Sequence, residues 1–230
     1  MPRKPRLHVP GGLYHVILRG NDRQAIFFDT DDRQRWESLL ADGLDEHRHR
    51  IHAYCWMTNH VHMAIQCHDR PLSGFMQFIA SQYARSTNKK MNRTGHLFER
   101  RHRAILVQAD SYLQELVRYI HQNPVRAGIV EAIADYPWCS HQAYLTGNPP
   151  EWLTLDWALS AFGESLADAR RQYARFMRID CPTSIRRKFR EGSDDDRRVL
   201  GDDGFIASLK LDVAQPAARQ TLAELTQVIC

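Results

Sequence analysis

His60-Val61-His62 sets two imidazoles two positions apart. Side chains alternate between the faces of a β-strand, so a His-x-His pair there projects both rings to one side. Two ligands of one metal ion need that arrangement. Tyr119 and Asn123 form a second pair. They stand one helical turn apart on the flank of an apolar stripe, and both can reach a common point. A phenol, with an ordinary pKa near 10, is a poor nucleophile at neutral pH and needs assistance. A divalent ion beside it, polarising an electrophile, is one source of that assistance. Spacing alone leaves ordinary explanations open. A chain with 12 histidines yields about one such pair by chance, and His47-Arg48-His49 is another, at a helix end where surface histidines are expected. Tyr119 also fits a half-buried packing residue, and Tyr112 is a rival nucleophile two turns earlier.

The elements that must position these groups follow from periodicity. Leu13 to Arg19 reads as a strand between Pro10-Gly11-Gly12 and Gly20-Asn21-Asp22, and a helix follows over Asp32 to His47. Arg50 to Met57 and His60 to His68 read as two strands of a hairpin around Thr58-Asn59. A second helix is predicted over Leu72 to Lys90, then a strand at Ala104 to Gln108. The chemistry-bearing helix starts at Asp110-Ser111, with Ser111 and Gln114 at capping-box spacing, and stops at Pro124. Leu113, Leu116, Val117 and Ile120 form its buried stripe.

The order β-α-β-β-α-β predicts an α+β, ferredoxin-like (RRM-like) antiparallel sheet with helices on one face, the other face open, and the helix that carries Tyr119 following the fourth strand. Val61, Met63, Ile65 and Cys67 alternate with the histidines, and Ile51, Ala53, Cys55 and Met57 alternate with His52, Tyr54 and Trp56. The sheet is therefore expected to have one core face and one histidine-bearing face. Tyr54, Trp56 and Phe98 are candidate stacking platforms as well as candidate core residues.

The 230 residues, 43% hydrophobic and 25% charged, suit one globular domain with an appendage. No apolar run approaches the roughly 20 residues of a membrane span, and the basic start leads into no signal core, so a cytoplasmic protein is expected. The five cysteines form no C-x-x-C pair and read as reduced thiols. The net charge of +4 is modest but unevenly spread. Arg85, Lys89, Lys90, Arg93, Arg100, Arg101 and Arg103 oppose the single acid Glu99, a block that suits either a polyanion or a solvated helix face.

Taken together, four stretches resemble the IS200/IS605-like transposases, tyrosine nucleophile enzymes of the HUH class, and most of all the REP-associated tyrosine transposases. They are Tyr14-His15-Val16-Ile17-Leu18-Arg19-Gly20, Met57-Thr58-Asn59-His60-Val61-His62-Met63, Gly95-His96-Leu97-Phe98-Glu99-Arg100-Arg101, and Val117-Arg118-Tyr119-Ile120-His121-Gln122-Asn123-Pro124-Val125-Arg126-Ala127-Gly128. The resemblance covers about residues 8 to 147. It implies that His60, His62 and Asn123 hold a divalent metal, Mg²⁺ or Mn²⁺, with Asn123 standing where the family often has Gln. It also implies that Tyr119 attacks single-stranded DNA to give a 5′-phosphotyrosine. Arg19 and Arg126 join the basic block as expected DNA contacts, and hairpin-forming repeats are an expected target. A replication-initiator nickase of the same class and a non-catalytic nucleic-acid-binding module are the alternatives. A zinc hydrolase would lack evident third and fourth ligands.

Composition changes near Gly147-Asn148-Pro149-Pro150. Residues 1–148 are expected to form the endonuclease domain and 149–230 a helical extension, with a charged linker from Ser184 to Arg198. Leu222 to Cys230 resembles the opening helix of a truncated helix-turn-helix.

Overall fold

The computed structural model describes residues 6–214; the stretch compared with a helix-turn-helix lies outside them. Strands β1 (Leu13–Arg19), β2 (Arg50–Met57), β3 (His60–Gln66) and β4 (Arg103–Val107) alternate with helices α1 (Thr30–His47) and α2 (Leu72–Lys90) as periodicity predicts. The first four strands lie antiparallel in the order β2-β3-β1-β4, the ferredoxin-like arrangement. Asp29 caps α1 by accepting the Asp32 backbone N–H.

Cross-strand register decides which residues share a face. The two-residue Thr58-Asn59 loop pairs Met57 with His60, Cys55 with His62 and Trp56 with Val61. Directly opposite residues point the same way, so Cys55 and Met57 flank the histidines. Trp56 and Tyr54 lie on the other face, with Val61 and Met63. There α1 and α2 cover them: Trp36 packs edge-on to Trp56, and Trp56 Nε1–H donates to Glu37. Tyr54 and Trp56 are therefore core. Phe98 sits 6.4 Å from the Tyr83 ring of α2.

The histidine-bearing face, expected to stay open, is covered. Helix α3 (Ala109–His121) crosses it, burying Leu113, Leu116, Val117 and Ile120 as its pattern predicts. Its start differs from the predicted capping box. Gln108 occupies the N-cap position, and Gln114 instead donates to the Ala161 carbonyl. A short turn, α4 (Asn123–Arg126), carries Pro124 where its missing N–H costs nothing.

Beyond residue 148 lie α6 (Asp156–Ser160), α7 (Leu166–Phe176), α8 (Thr183–Glu191), the strand β5 (Val199–Leu200) and α9 (Asp203–Ala214), after α5 (His141–Thr146). The stretch expected as a charged linker is thus mostly helix α8, and β5 follows directly after it. Phe189 explains the helix: among arginines and lysines facing solvent, it alone is buried in α8. β5 pairs parallel to β4 and closes that sheet edge. At the opposite edge the Trp138 carbonyl accepts Trp56 N–H, and Tyr136 O–H donates to the Trp56 carbonyl.

α7 is tied in by a buried polar chain. His121 Nδ1 and His141 Nδ1 both bond the Tyr173 hydroxyl, and His121 Nε2 meets Ser140 Oγ at 2.6 Å. No helix among the described residues is long and apolar enough to cross a membrane.

Candidate active site

Strand alternation brings His60 and His62 to the same face, with ring centroids 4.9 Å apart. α3 lowers Tyr119 onto them, its ring 5.7 Å from that of His62. A third histidine, not singled out in the sequence, completes the group. His15 on β1 lies 5.3 Å from the Tyr119 ring and places Nε2 3.0 Å from His62 Nδ1.

Hydrogen bonds orient the two β3 histidines. His60 Nδ1 lies 2.6 Å from Asn59 Oδ1, which can only accept, so the proton sits on Nδ1 and Nε2 keeps its lone pair. Asn59 is oriented in turn, since its Nδ2–H donates to the Arg23 carbonyl. That carbonyl is presented by a turn in which Asp22 and Arg23 both take positive φ, a costly conformation for side-chain-bearing residues. Gly20, whose N–H donates to the Asn59 carbonyl, admits no side chain: a Cβ there would stand 2.2 Å from the Gln24 carbonyl oxygen.

Burial lowers the pKa of His60 to about 4, helped by Arg19, and burial holds His62 well below the ordinary histidine range, with His60 and His15 adding to it. Both are neutral at physiological pH. No hydrogen bond engages Nε2 of either among the described residues. Asn123 spends its Nδ2 on the carbonyls of Tyr119 and Ile120, closing the end of α3, while its Oδ1 stays available. Two neutral imidazole nitrogens and an amide oxygen are a donor set that fits a divalent cation. No hydrogen bond joins Asn123 to either histidine, and no cluster of three His, Cys, Asp or Glu ligands occurs among the described residues.

Tyr119 is buried, which raises its pKa; Arg126 and Arg190 pull the other way. The Arg126 guanidinium lies 4.7 Å from the centre of the Tyr119 ring. Tyr119, Asn123, Arg126, Thr183, Arg186 and Arg190 line a cleft of about 390 Å³. Arg190 also borders a neighbouring cleft of about 210 Å³ with Arg19, Arg100, Arg101 and Arg103. Cations from β1, the loop before β4, β4, α4 and α8 thus gather around the tyrosine. Tyr112 stands apart from the histidines, its hydroxyl 3.3 Å from Lys188 Nζ.

The rest of the basic block is elsewhere. Arg85, Lys89 and Lys90 belong to α2, on the far side of the sheet from the histidines. Lys90 is committed to Asp29 and Asp32 at 2.6 and 2.7 Å, locking the end of α2 to the start of α1. Arg93 lies in the turn after α2 and lines neither cleft.

Sequence reasoning passed over His15, Asn59, Phe189, Arg186 and Arg190. His15 and Asn59 stand inside the quoted motifs, a usable signal. The α8 residues carried none, because a short cationic stretch does not reveal what it packs against.

The family described as "Transposase IS200 like" matches residues 8–123. A REP-associated tyrosine transposase of Haemophilus influenzae is 24% identical over 155 residues, covering 62% of this chain and 88% of that relative. Among solved structures, a REP-associated tyrosine transposase bound to a REP hairpin superposes with a TM-score of 0.56 at 19% identity, covering 68% of this chain and 93% of that one, and shows the same fold. A transposase from Deinococcus radiodurans superposes at a TM-score of 0.37 and 17% identity, covering 59% and 98%, too distant to carry an argument. With half of the chain matched, including both histidines and the tyrosine, this protein belongs to the IS200-like transposases.

Proposed function

We propose that the chain is a metal-dependent single-stranded DNA endonuclease and strand transferase that works through Tyr119. The observation that carries this reading is the packing of the Tyr119 ring against His62 at the mouth of an arginine-lined cleft. Residues 1–148 carry the ligands and nucleophile, and 149–230 an extension that contributes Arg186 and Arg190. A bound Mg²⁺ or Mn²⁺ would polarise the scissile phosphate and offset charge on the leaving oxygen. His60 and His62 would hold it through Nε2, with Asn123 Oδ1 as the third protein ligand.

The residues of the chain do the rest. Arg126 and Arg190 stabilise the negative charge developing on Tyr119 Oη and on the phosphate. Tyr119 Oη gives up its proton and forms a bond to phosphorus as the bond to the 3′ oxygen breaks, and that oxygen takes up one proton to leave as a 3′-hydroxyl. Phosphotyrosine keeps the ester for rejoining in the reverse step, so no nucleotide cofactor is consumed. Arg19, Arg100, Arg101 and Arg103 would track the phosphates of the bound strand. Similarity to a hairpin-bound relative supports a DNA hairpin as the recognised element.

The test is incubation with hairpin-bearing single-stranded DNA and Mn²⁺, followed by denaturing electrophoresis. A covalent adduct mapping to Tyr119 by mass spectrometry is expected. Binding without any adduct would turn the reading towards a nucleic-acid-binding module.

A further inference from the structure

His15 lies on β1, diagonal to His62 across the β1–β3 pairing, in which Ile17 faces His62 and His15 faces Ala64. Its side chain is fully buried and makes two hydrogen bonds. Nδ1 meets the Phe189 carbonyl of α8 at 3.0 Å, and Nε2 meets His62 Nδ1 at 3.0 Å. The rings are nearly parallel, with 11° between their planes.

The chemistry of the partners assigns every proton in this chain. A carbonyl oxygen only accepts, so His15 Nδ1 carries hydrogen. His15 is fully buried between that carbonyl and His62, where a charged imidazolium would go unsolvated, so the ring is neutral and its Nε2 is a bare acceptor. His62 Nδ1 must then carry hydrogen and donate to it. In a neutral His62 that leaves the lone pair on Nε2.

We propose that His15 is a positioning residue for the metal site, and that the Phe189 carbonyl of the extension, acting through His15, fixes the tautomer of His62 with Nε2 free to ligate. This rests on the metal-binding reading of His60 and His62. It assigns to β1 and to α8 a role in building a ligand on β3, so the extension helps to complete the site. Outer partners of metal-bound histidines orient the ring and raise its basicity, and their loss commonly costs about 10- to 100-fold in metal affinity. Asn59 does the same for His60 through an acceptor on its own strand turn. His62 depends instead on a residue 174 positions away from its relay partner.

The test combines two readouts on the full chain without DNA. Nitrogen-15 NMR of labelled histidines reports which ring nitrogen of His62 is protonated. Mn²⁺ titration followed by electron paramagnetic resonance reports affinity. His15→Phe keeps the ring shape and removes both nitrogens. It should abolish the fixed Nδ1–H form of His62 and weaken Mn²⁺ binding by about 10- to 100-fold. His15→Gln can still accept from His62 and donate to the Phe189 carbonyl, so it should recover most of both signals. If His15→Phe proves unfolded by circular dichroism, the NMR of wild type and His15→Gln still decides. A proton on Nε2 of His62 in the metal-free wild type overturns the proposal, as does Mn²⁺ affinity unchanged in folded His15→Phe. Wild-type protein that binds no Mn²⁺ overturns the metal reading itself. That result is distinct from binding which His15→Phe leaves intact.

Discussion

Phe189 and Tyr119 lie with ring centroids 5.2 Å apart, so a residue of α8 forms one wall around the tyrosine of the matched family region. The same Phe189 ring stands 6.1 Å from His15 and 6.3 Å from Tyr112. One buried side chain therefore seats α8 on β1 and α3 together. Phe189→Ala should cost about 3 kcal/mol or more of stability, the usual range for emptying a buried aromatic site. The check is thermal melting together with hydrogen exchange, where α8 and the facing turn of α3 should lose protection first. A melting temperature equal to wild type would show that α8 is not seated by this ring.

Tyr119→Phe keeps that packing and removes only the hydroxyl proposed to attack, for which no hydrogen bond is present among the described residues. Stability should change by less than about 1.5 kcal/mol, as for other shape-conserving swaps, while covalent DNA adducts disappear. Tyr112→Phe, made in parallel, should still form them. Peptide mapping of the adduct to Tyr112 would reverse the assignment.

The arginines that gather on the histidine face should dominate DNA affinity. Arg101→Glu combined with Arg190→Glu is expected to weaken binding to any single-stranded sequence and to flatten its dependence on salt, each lost phosphate contact reducing the slope by about 0.7 for single strands. Arg85→Glu with Lys89→Glu, on α2 across the sheet, should leave both nearly unchanged. Filter-binding titrations at several salt concentrations separate the two cases, and equal losses in both pairs would mean that α2 also meets the strand.

Acid should weaken the fold before most carboxylates titrate. Burial lowers the pKa of His141 to about 4, and lowers that of His49 to about 4 with help from His47, His8 and His68. In the unfolded chain each would titrate near 6.5. Between about 6.5 and 4 the unfolded state therefore binds more protons, so stability is full above that window and falls as pH drops through it. Melting temperature should decline steadily from pH 7 to pH 4.5. A flat profile over that range would contradict the burial of these rings as neutral species.

The Tyr173 hydroxyl serves two buried histidines and joins α7 to α3 and α5. Tyr173→Phe strands nitrogen atoms of His121 and His141 and should cost about 1–3 kcal/mol, the penalty for leaving buried polar groups unpaired. Chemical denaturation is the measurement, and no loss of stability would show that water replaces the hydroxyl.

Local rules carried much of this protein on their own. Period-two alternation was enough to put His60 and His62 on one face, since strand geometry needs no partner to make that statement. Helical spacing likewise set Tyr119 beside Asn123 and named the buried stripe of α3. The choice between core and stacking platform for Trp56 was also within reach of the sequence, because a two-residue hairpin pairs Met57 with His60 and so sends Trp56 to the opposite face. Other features needed the tertiary structure. His15 meets His62 only because β1 inserts between β3 and β4, and Lys90 is neutralised only because α2 ends against the start of α1. Helix α8 looked like a charged linker because Ile185 and Phe189, one turn apart, are its only apolar residues among arginines and lysines. The value of Phe189 lies in a pocket built by residues more than 65 positions earlier in the chain. Contacts of that kind are set by how elements pack, and short-range patterns of residue type do not encode them.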